Sequence, residues 1–268
     1  MVSISVRLGA AALVAGVALT GCGSDDKSDS GTSAPATKTP FKVCSDIPYE
    51  PMEFGDGGAG TPSGYTGFDI DLVQKIADDA GRKLEVSVTP FDGIFGAMNS
   101  KKCDAVVSSV TITEERKKQM EFSTPYFDSN QSLMVNKADA DTYKTLADLA
   151  GKNIGVQTGT TGEEYTNKNL PAGAQVTSLA DAAALFAALG SGKIDAIVQD
   201  FPINAYRATT NDSVVVNEEI KTDEHYGIAV RQGDTETLQL INDGLAKAKS
   251  NGTYDTIFEK YFGKKPGA

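Results

Sequence analysis

The chain has 268 residues, with 25 basic against 36 acidic side chains and a formal net charge of −11. That surplus of negative charge argues against nucleic acid or an anionic membrane surface as a partner, since either would repel it. Three cysteines and a single histidine, with no cysteine–histidine spacing, do not support a zinc site, and no cofactor or metal is expected.

Arg7 is the only charge ahead of the apolar stretch Leu8 to Leu19. The stretch has signal-peptide length and is too short to span a bilayer comfortably. It ends in Leu19-Thr20-Gly21-Cys22, which resembles a bacterial lipobox. The resemblance implies a lipoprotein signal peptide over residues 1–21 and a lipid on Cys22. Gly23 to Pro40 is rich in Ser, Thr, Asp, Gly, Lys and Pro. Such a segment buries too little apolar surface to fold, so residues 22–40 are expected to be a lipid-anchored flexible tether. The expected location is extracytoplasmic, on the outer face of the cell membrane.

From Phe41 onward strand-like and helical stretches alternate. Phe41–Asp46, Leu84–Thr89 and Asp104–Ser109 read as buried strands, and Asn153–Gln157 and Ile194–Gln199 repeat the theme. The alternation predicts an α/β fold of right-handed βαβ units with largely parallel sheets. Gly67-Phe68-Asp69-Ile70-Asp71-Leu72 opens a helix with Ile70, Val73 and Ala77 on one apolar stripe. Ser108-Ser109-Val110-Thr111-Ile112-Thr113-Glu114-Glu115-Arg116 reads as a strand end running into a helix. A cation in a first helical turn faces the positive end of the macrodipole, so Arg116 suggests an anion bound there. Residues 94–107 match residues 185–198 at a constant offset of 91, with Asp104 aligned on Asp195. Two lobes of similar construction explain that repeat. Thr235 to Ser250 reads as a further helix.

The Gly-Phe-Asp-Ile-Asp-Leu and Thr-Ile-Thr-x-x-Arg runs, in this order, resemble the extracytoplasmic solute-binding proteins of polar amino-acid ABC importers (bacterial solute-binding protein family 3). The resemblance runs from Phe41 to Tyr261-Phe262-Gly263. It implies a two-lobed periplasmic-binding-protein-like fold whose chain crosses between lobes twice. Lobe 1 is then 41–131 plus 227–268, and lobe 2 is 132–226. The first crossing is expected near Asn130–Val135 and the return near Tyr226–Val230.

Ligands of open α/β sheets bind outside the carboxyl ends of the strands. That rule selects Asp46, Phe91-Asp92, Ser108 to Thr111, the Thr158–Gly162 turn and Asp200. The candidate ligand contacts are Asp46, Tyr49, Phe91, Ser108, Ser109, Thr111, Arg116, Thr160, Thr161 and Asp200. A planar guanidinium matches an α-carboxylate with paired charge-assisted bonds, the role the family gives the Arg116 position. Asp200 takes the α-ammonium in the family, or caps the helix that follows. Thr160 and Thr161 stand at a helix start whose free N–H groups are expected to hold the carboxylate, as the family reads this turn, with plain helix capping as the alternative. Tyr49 and Phe91 are expected as walls, with core packing as the alternative. Basic-amino-acid binders of the family place a carboxylate at the Asp46 position, and glutamine binders can do so too. The resemblance therefore implies a basic ligand (arginine, lysine or ornithine), with glutamine or another polar amino acid as the alternative. Gly162 stands where some relatives carry a longer polar side chain. Glu50 and Glu53 are expected as solvated loop residues, Lys117 and Lys118 on a solvated face, and His225 at the surface. Asp69 and Asp71 are expected in helix-dipole and packing roles.

Cys44 and Cys103 read as residues of neighbouring strands. With Asp46 and Ser108 at equivalent strand ends, the two cysteines are staggered by several residues, beyond ordinary Cα reach. Pairing, which an exported protein permits, is left open. The expected function is amino-acid binding without catalysis, by a monomer that closes on its ligand and hands it to an ABC permease. A sensor module and a carboxylic-acid dehydratase on the same scaffold are the alternatives.

Overall fold

The computed structural model describes residues 38–264 and Pro266. The expected signal peptide, Cys22 and the tether before Lys38 lie outside the described residues. Strand β1 (Phe41–Ser45) leads through the short ribbon β2 (Phe54–Gly55) and β3 (Tyr65–Thr66) into helix α1 (Phe68–Asp79). Then come β4 (Leu84–Val88), α2 (Phe91–Asn99), β5 (Ala105–Val106), α3 (Glu114–Lys117), β6 (Met120–Phe122) and β7 (Phe127–Asn136). The middle of the chain forms β8 (Asn153–Gln157), α4 (Thr161–Lys168), β9 (Gln175–Leu179), α5 (Ala182–Gly190) and β10 (Ala196–Asp200). It continues through α6 (Phe201–Thr210), β11 (Val214–Tyr226), β12 (Ala229–Arg231), α7 (Thr235–Ser250) and α8 (Thr253–Phe262).

Two five-stranded sheets result, ordered β4-β1-β5-β12-β6 and β11-β7-β10-β8-β9. In the first, β1 runs parallel to β4 and β5, and β12 runs antiparallel to β5 and β6. In the second, β8 is parallel to β9 and β10, while β7 is antiparallel to β10 and β11. The chain leaves the first sheet after β6 and returns to it with β12. Its two crossings are therefore the long strands β7 and β11, paired from Val214 on Asn136 to Tyr226 on Phe127. At one end of this ribbon Phe127 and Tyr226 pack with Phe68 and Tyr126, and further along Leu133, Val135 and Ile220 join the second core. The ladder shifts register between Ile220 and Glu224, where Asp223 takes a φ of 50° and Asn130 Oδ1 accepts from the Thr222 and Asp223 N–H groups. A bulge of this kind bends a ribbon locally, and here it lies between the lobes.

Each lobe repeats one construction. Asp104 and Asp195, the aligned acids of the sequence repeat, both clip a neighbouring strand. Asp104 accepts from the Lys42 N–H at 3.0 Å and donates its own N–H to the Lys42 carbonyl at 2.8 Å. Asp195 does the same with Asn153, at 2.8 Å for both bonds. Helix α1 buries Ile70, Val73 and Ala77 as its apolar stripe requires, with Leu72 and Ile76 beside them. Each such aliphatic side chain contributes about 1.5–3 kcal/mol by leaving water. Gly67 starts this helix at a φ of 124°, because a side chain there would meet the Met52 carbonyl oxygen at 2.2 Å.

The cysteine stagger argument fails. Cys44 is opposite Val106 in the ladder, so Asp46 and Ser108 do align, yet Cys44 and Cys103 are bonded with Cα atoms 5.7 Å apart. The reason is that the strand expected over Asp104–Ser109 is regular only at Ala105–Val106. Before it the chain turns through Lys101, at a φ of 62°, and Cys103 packs with Cys44, Met98 and Val106 instead of extending along the sheet.

Candidate functional site

Asp46, Tyr49, Phe91, Ser108, Ser109, Thr111, Arg116, Thr160, Thr161 and Asp200 line one small cavity together with Gln157. The positions are brought together from both sheets. β1 delivers Asp46 and Tyr49, the segment after β5 delivers Ser108 to Thr111, β8 delivers Gln157, and β10 delivers Asp200.

Arg116 sits in the single-turn helix α3, whose N-cap Thr113 accepts from the Arg116 N–H at 3.1 Å. Its Nη1 donates to the Thr111 carbonyl at 2.8 Å and its Nη2 to the Gly159 carbonyl at 3.2 Å. The guanidinium carbon lies 5.5 Å and 5.4 Å from the ring centres of Phe91 and Phe95. Two carbonyls and two aromatic faces thus fix the plane of the fork without neutralising it, and the charge stays available to an anion. Thr160 caps α4 by accepting from the Glu163 N–H at 3.2 Å while its hydroxyl donates to the Gln157 carbonyl at 2.7 Å. The open N–H groups and positive dipole end of α4 belong to the same wall as Arg116.

Asp200 forms the opposite pole. Its Oδ2 accepts from the hydroxyls of Tyr49 at 3.0 Å and Tyr226 at 2.7 Å, and its Oδ1 from Gln131 Nε2 at 2.7 Å. It provides no side-chain cap to α6. Burial, reinforced by the charge of Glu224, pushes its carboxyl up to about 7. Asp46 receives Gln157 Nε2 at 2.6 Å from the other lobe and donates its own N–H to Ser108 Oγ at 3.0 Å. Burial pushes its carboxyl up to about 6, against the hydrogen bond from Gln157. The site is therefore bipolar: an arginine and a helix N-terminus on one side, carboxyls on the other. Such a cleft can hold a zwitterion with both charges paired.

Several participants escaped the sequence reading. Gln157 lies one residue ahead of the turn selected there, and the strand-end rule applies to it equally. Gln131 and Glu224 lie on the crossing ribbon and carry no local signal. Glu224 Oε2 accepts from Thr111 at 2.5 Å and Thr161 at 2.9 Å, and its Oε1 accepts from Gln131 at 2.9 Å. It thereby ties one lobe to the other. Gly162 packs so closely that a side chain would lie 2.8 Å from Gln131 Oε1 and 3.1 Å from the Val198 carbonyl, which leaves no room for a longer side chain. Glu53, expected in solvent, is fully buried and accepts from Ser108 Oγ at 2.7 Å, because α1 folds back over the Met52–Glu53 segment. Asp69 is fully buried and Asp71 binds Lys260 and Tyr261. Lys117 and Lys118 pair with Glu114 and Glu115 on an exposed face, and the exposed His225 pairs with Asp128 away from the cavity. Among the described residues, no group of histidine, cysteine and acidic side chains is arranged to hold a metal ion.

Two α/β lobes joined by two crossings around a polar cleft define the class of extracytoplasmic binding proteins. Residues 41–264 match the model of the bacterial extracellular solute-binding proteins, family 3, and the chain belongs to that family. It is 36% identical to the L-cystine-binding protein TcyJ of Escherichia coli K12, over 80% of this chain and 79% of that one. It is 34% identical to the ABC transporter arginine-binding protein 1 of the same organism, over 80% and 87%. An ancestral arginine-binding protein bound to arginine superposes with a TM-score of 0.77 at 41% identity, covering 84% of this chain and 99% of that one. An ancestral arginine-binding protein bound to glutamine superposes with a TM-score of 0.78 at 41% identity, covering 84% of this chain and 98% of that one.

Proposed function

We propose that this protein binds one free amino acid in the cleft between its lobes and delivers it to an ABC importer. A basic side chain (arginine, lysine or ornithine) is the first choice of ligand. The observation that carries the reading is the bipolar cavity. Arg116 and the α4 N-terminus suit an α-carboxylate, Asp200 suits an α-ammonium, and Asp46 is left for a distal cation. The lobes are 41–131 plus 227–268 and 132–226, and they close by bending the β7–β11 ribbon. Each lobe contributes to both poles, so ligand contacts favour the closed state. The protein acts as a monomer, held outside the cell membrane by a lipid on Cys22. The relatives are named as binding proteins, and binding without turnover is the function assigned.

Glutamine is the second choice, because the carboxyl of Asp46 also accepts from an amide and ancestral arginine-binding proteins similar to this chain have been solved bound to arginine and bound to glutamine. The deciding experiment is calorimetric titration of the chain from Thr39 onward, unfolded and refolded to strip carried ligand, against the proteinogenic L-amino acids. Tight one-to-one binding of arginine or lysine supports the first choice, and binding of glutamine alone supports the second. No binding anywhere in the panel overturns the reading, and a product formed from any bound compound overturns the assignment of no catalysis.

A further inference from the structure

Behind the cavity wall lie two carboxyl groups that the binding reading does not use. Glu53 and Asp69 are both fully buried. They are brought together by the close approach at Gly67, where the first turn of α1 lies against the backbone of Met52 and Glu53, and the Asp69 N–H donates to the Met52 carbonyl at 2.9 Å.

One oxygen of each is accounted for. Glu53 Oε1 accepts from Ser108 Oγ at 2.7 Å. Asp69 Oδ2 accepts from the Ser109 N–H at 2.7 Å and from the Tyr126 hydroxyl at 2.8 Å. The other two, Glu53 Oε2 and Asp69 Oδ1, are buried without a donor, and the two carboxyl groups are in contact with each other. Two adjacent bare carboxylates in an apolar interior repel strongly, whereas a single proton between them satisfies both orphan oxygens at once. The surrounding bonds say which residue holds it. Asp69 receives a backbone N–H and a tyrosine hydroxyl on one oxygen, which favours the anion there. Glu53 receives a single serine hydroxyl, which favours the anion less than the two donors on Asp69 do and which the carbonyl oxygen of a neutral acid still accepts.

We infer that Glu53 and Asp69 share one proton, with Glu53 the neutral donor and Asp69 the carboxylate, and that this pair positions the Ser108–Ser109 wall of the cavity. Ser109 needs such a brace: its φ of 49° is a left-handed backbone that a serine adopts at a cost. Ser108 passes the constraint on, since its Oγ accepts the Asp46 N–H at 3.0 Å. The titratable groups facing the pair are Asp46 and Tyr49 from the loop after β1, Tyr126 from the start of the crossing and Tyr254 from α8. None of them supplies a positive charge, so the proton is the neutralising partner. Burial drives the Glu53 carboxyl well above the ordinary carboxylate range, with the Asp69 charge adding to it.

The positioning half of this inference rests on the amino-acid-binding reading, and the proton half does not. For the proton, the carboxyl carbons of glutamate and aspartate are labelled with carbon-13 and followed by NMR against pH on the refolded protein without ligand. One glutamate resonance is expected to remain protonated through neutral pH. It should vanish in Glu53→Gln and titrate at lower pH in Asp69→Asn, where an amide replaces the anion. A Glu53 resonance that titrates in the ordinary range overturns the sharing. For the positioning, L-arginine is titrated calorimetrically. Ser108→Ala is expected to bind about tenfold more weakly, the equivalent of one net hydrogen bond. Glu53→Leu is expected to lose at least as much, with Glu53→Gln restoring it. Unchanged affinity in Ser108→Ala overturns the positioning role even if Glu53→Leu fails to fold. If the wild-type protein binds no amino acid, the functional reading falls, while the NMR titration still decides the proton.

Discussion

Gln157 reaches across the cleft to Asp46, its amide nitrogen 2.6 Å from the carboxylate. One residue ends β8 and the other follows β1, so this bond exists only when the lobes are together. The carboxylate that a distal cation would use is thus held by a neutral amide from the opposite lobe. A ligand with a guanidinium or ammonium replaces a neutral bond with a charge-assisted one.

Asp46→Asn should therefore separate basic from amide ligands. Removing a hydrogen bond to a charged group costs about 1.5–3 kcal/mol, or roughly 10- to 150-fold in affinity. Arginine and lysine should lose that much in a calorimetric titration, and glutamine only a few-fold. Equal losses for all three would mean that Asp46 does not face the ligand's distal group.

Arg116 is held planar by the Thr111 and Gly159 carbonyls and by Phe91 and Phe95. A lysine cannot reproduce that fork. Arg116→Lys is expected to weaken binding about tenfold or more, and Arg116→Ala about a hundredfold, with melting temperatures changing far less than affinity. Affinity that survives Arg116→Ala would place the α-carboxylate elsewhere.

The pH dependence follows from Asp200. Its carboxyl rises from 3.8 to about 7 in the folded protein because of burial and the Glu224 charge. A raised carboxyl stabilises the fold fully below its unfolded value, and that stabilisation is lost as pH climbs to the folded one. Stability without ligand should fall between about pH 4 and 7, by about 1.4 kcal/mol per pH unit for one titrating group. Asp46, raised to about 6, acts in the same direction. Ammonium binding needs the ionised acid, so ligand affinity should run the opposite way and rise from about pH 5 to 8. Protons released on binding should appear as a buffer-dependent enthalpy. Flat profiles in denaturation and titration would contradict the assignment of Asp200.

Gly67 is the backbone position most sensitive to substitution at the site's edge. With φ at 124°, an alanine methyl would lie 2.2 Å from the Met52 carbonyl oxygen, which leaves it no place. Gly67→Ala should cost more than about 3 kcal/mol, from overpacking and backbone strain together. Calorimetric unfolding should show it. Gly58→Ala, at a φ of 87° with no atom within 4 Å, should cost much less, and equal losses would remove the close approach as the cause.

Local sequence pattern determined a good deal of this protein. Hydrophobic alternation placed β1, β4 and β8 within a residue of where they run, and α7 spans Thr235–Ser250 as read. The strand-end rule collected Asp46, Ser108 and Asp200 into one cavity because the parallel strands of each sheet present their carboxyl ends on one side, and the two sheets turn those sides toward each other. The repeated aspartates, Asp104 and Asp195, were visible as a spacing before their backbone clips were. What pattern could not report was which distant segment covers which. Glu53 has the composition of a loop residue and is buried only because α1 folds back over it. Gln131 and Glu224 enter the site only because two lobes meet across a ribbon. Cys103 reaches Cys44 only because the chain turns where extension was expected. Periodicity and strand ends are encoded within a few residues. Burial and pairing depend instead on contacts between distant segments, such as Tyr49 and Asp200, 151 residues apart, and those exist only once the chain has closed on itself.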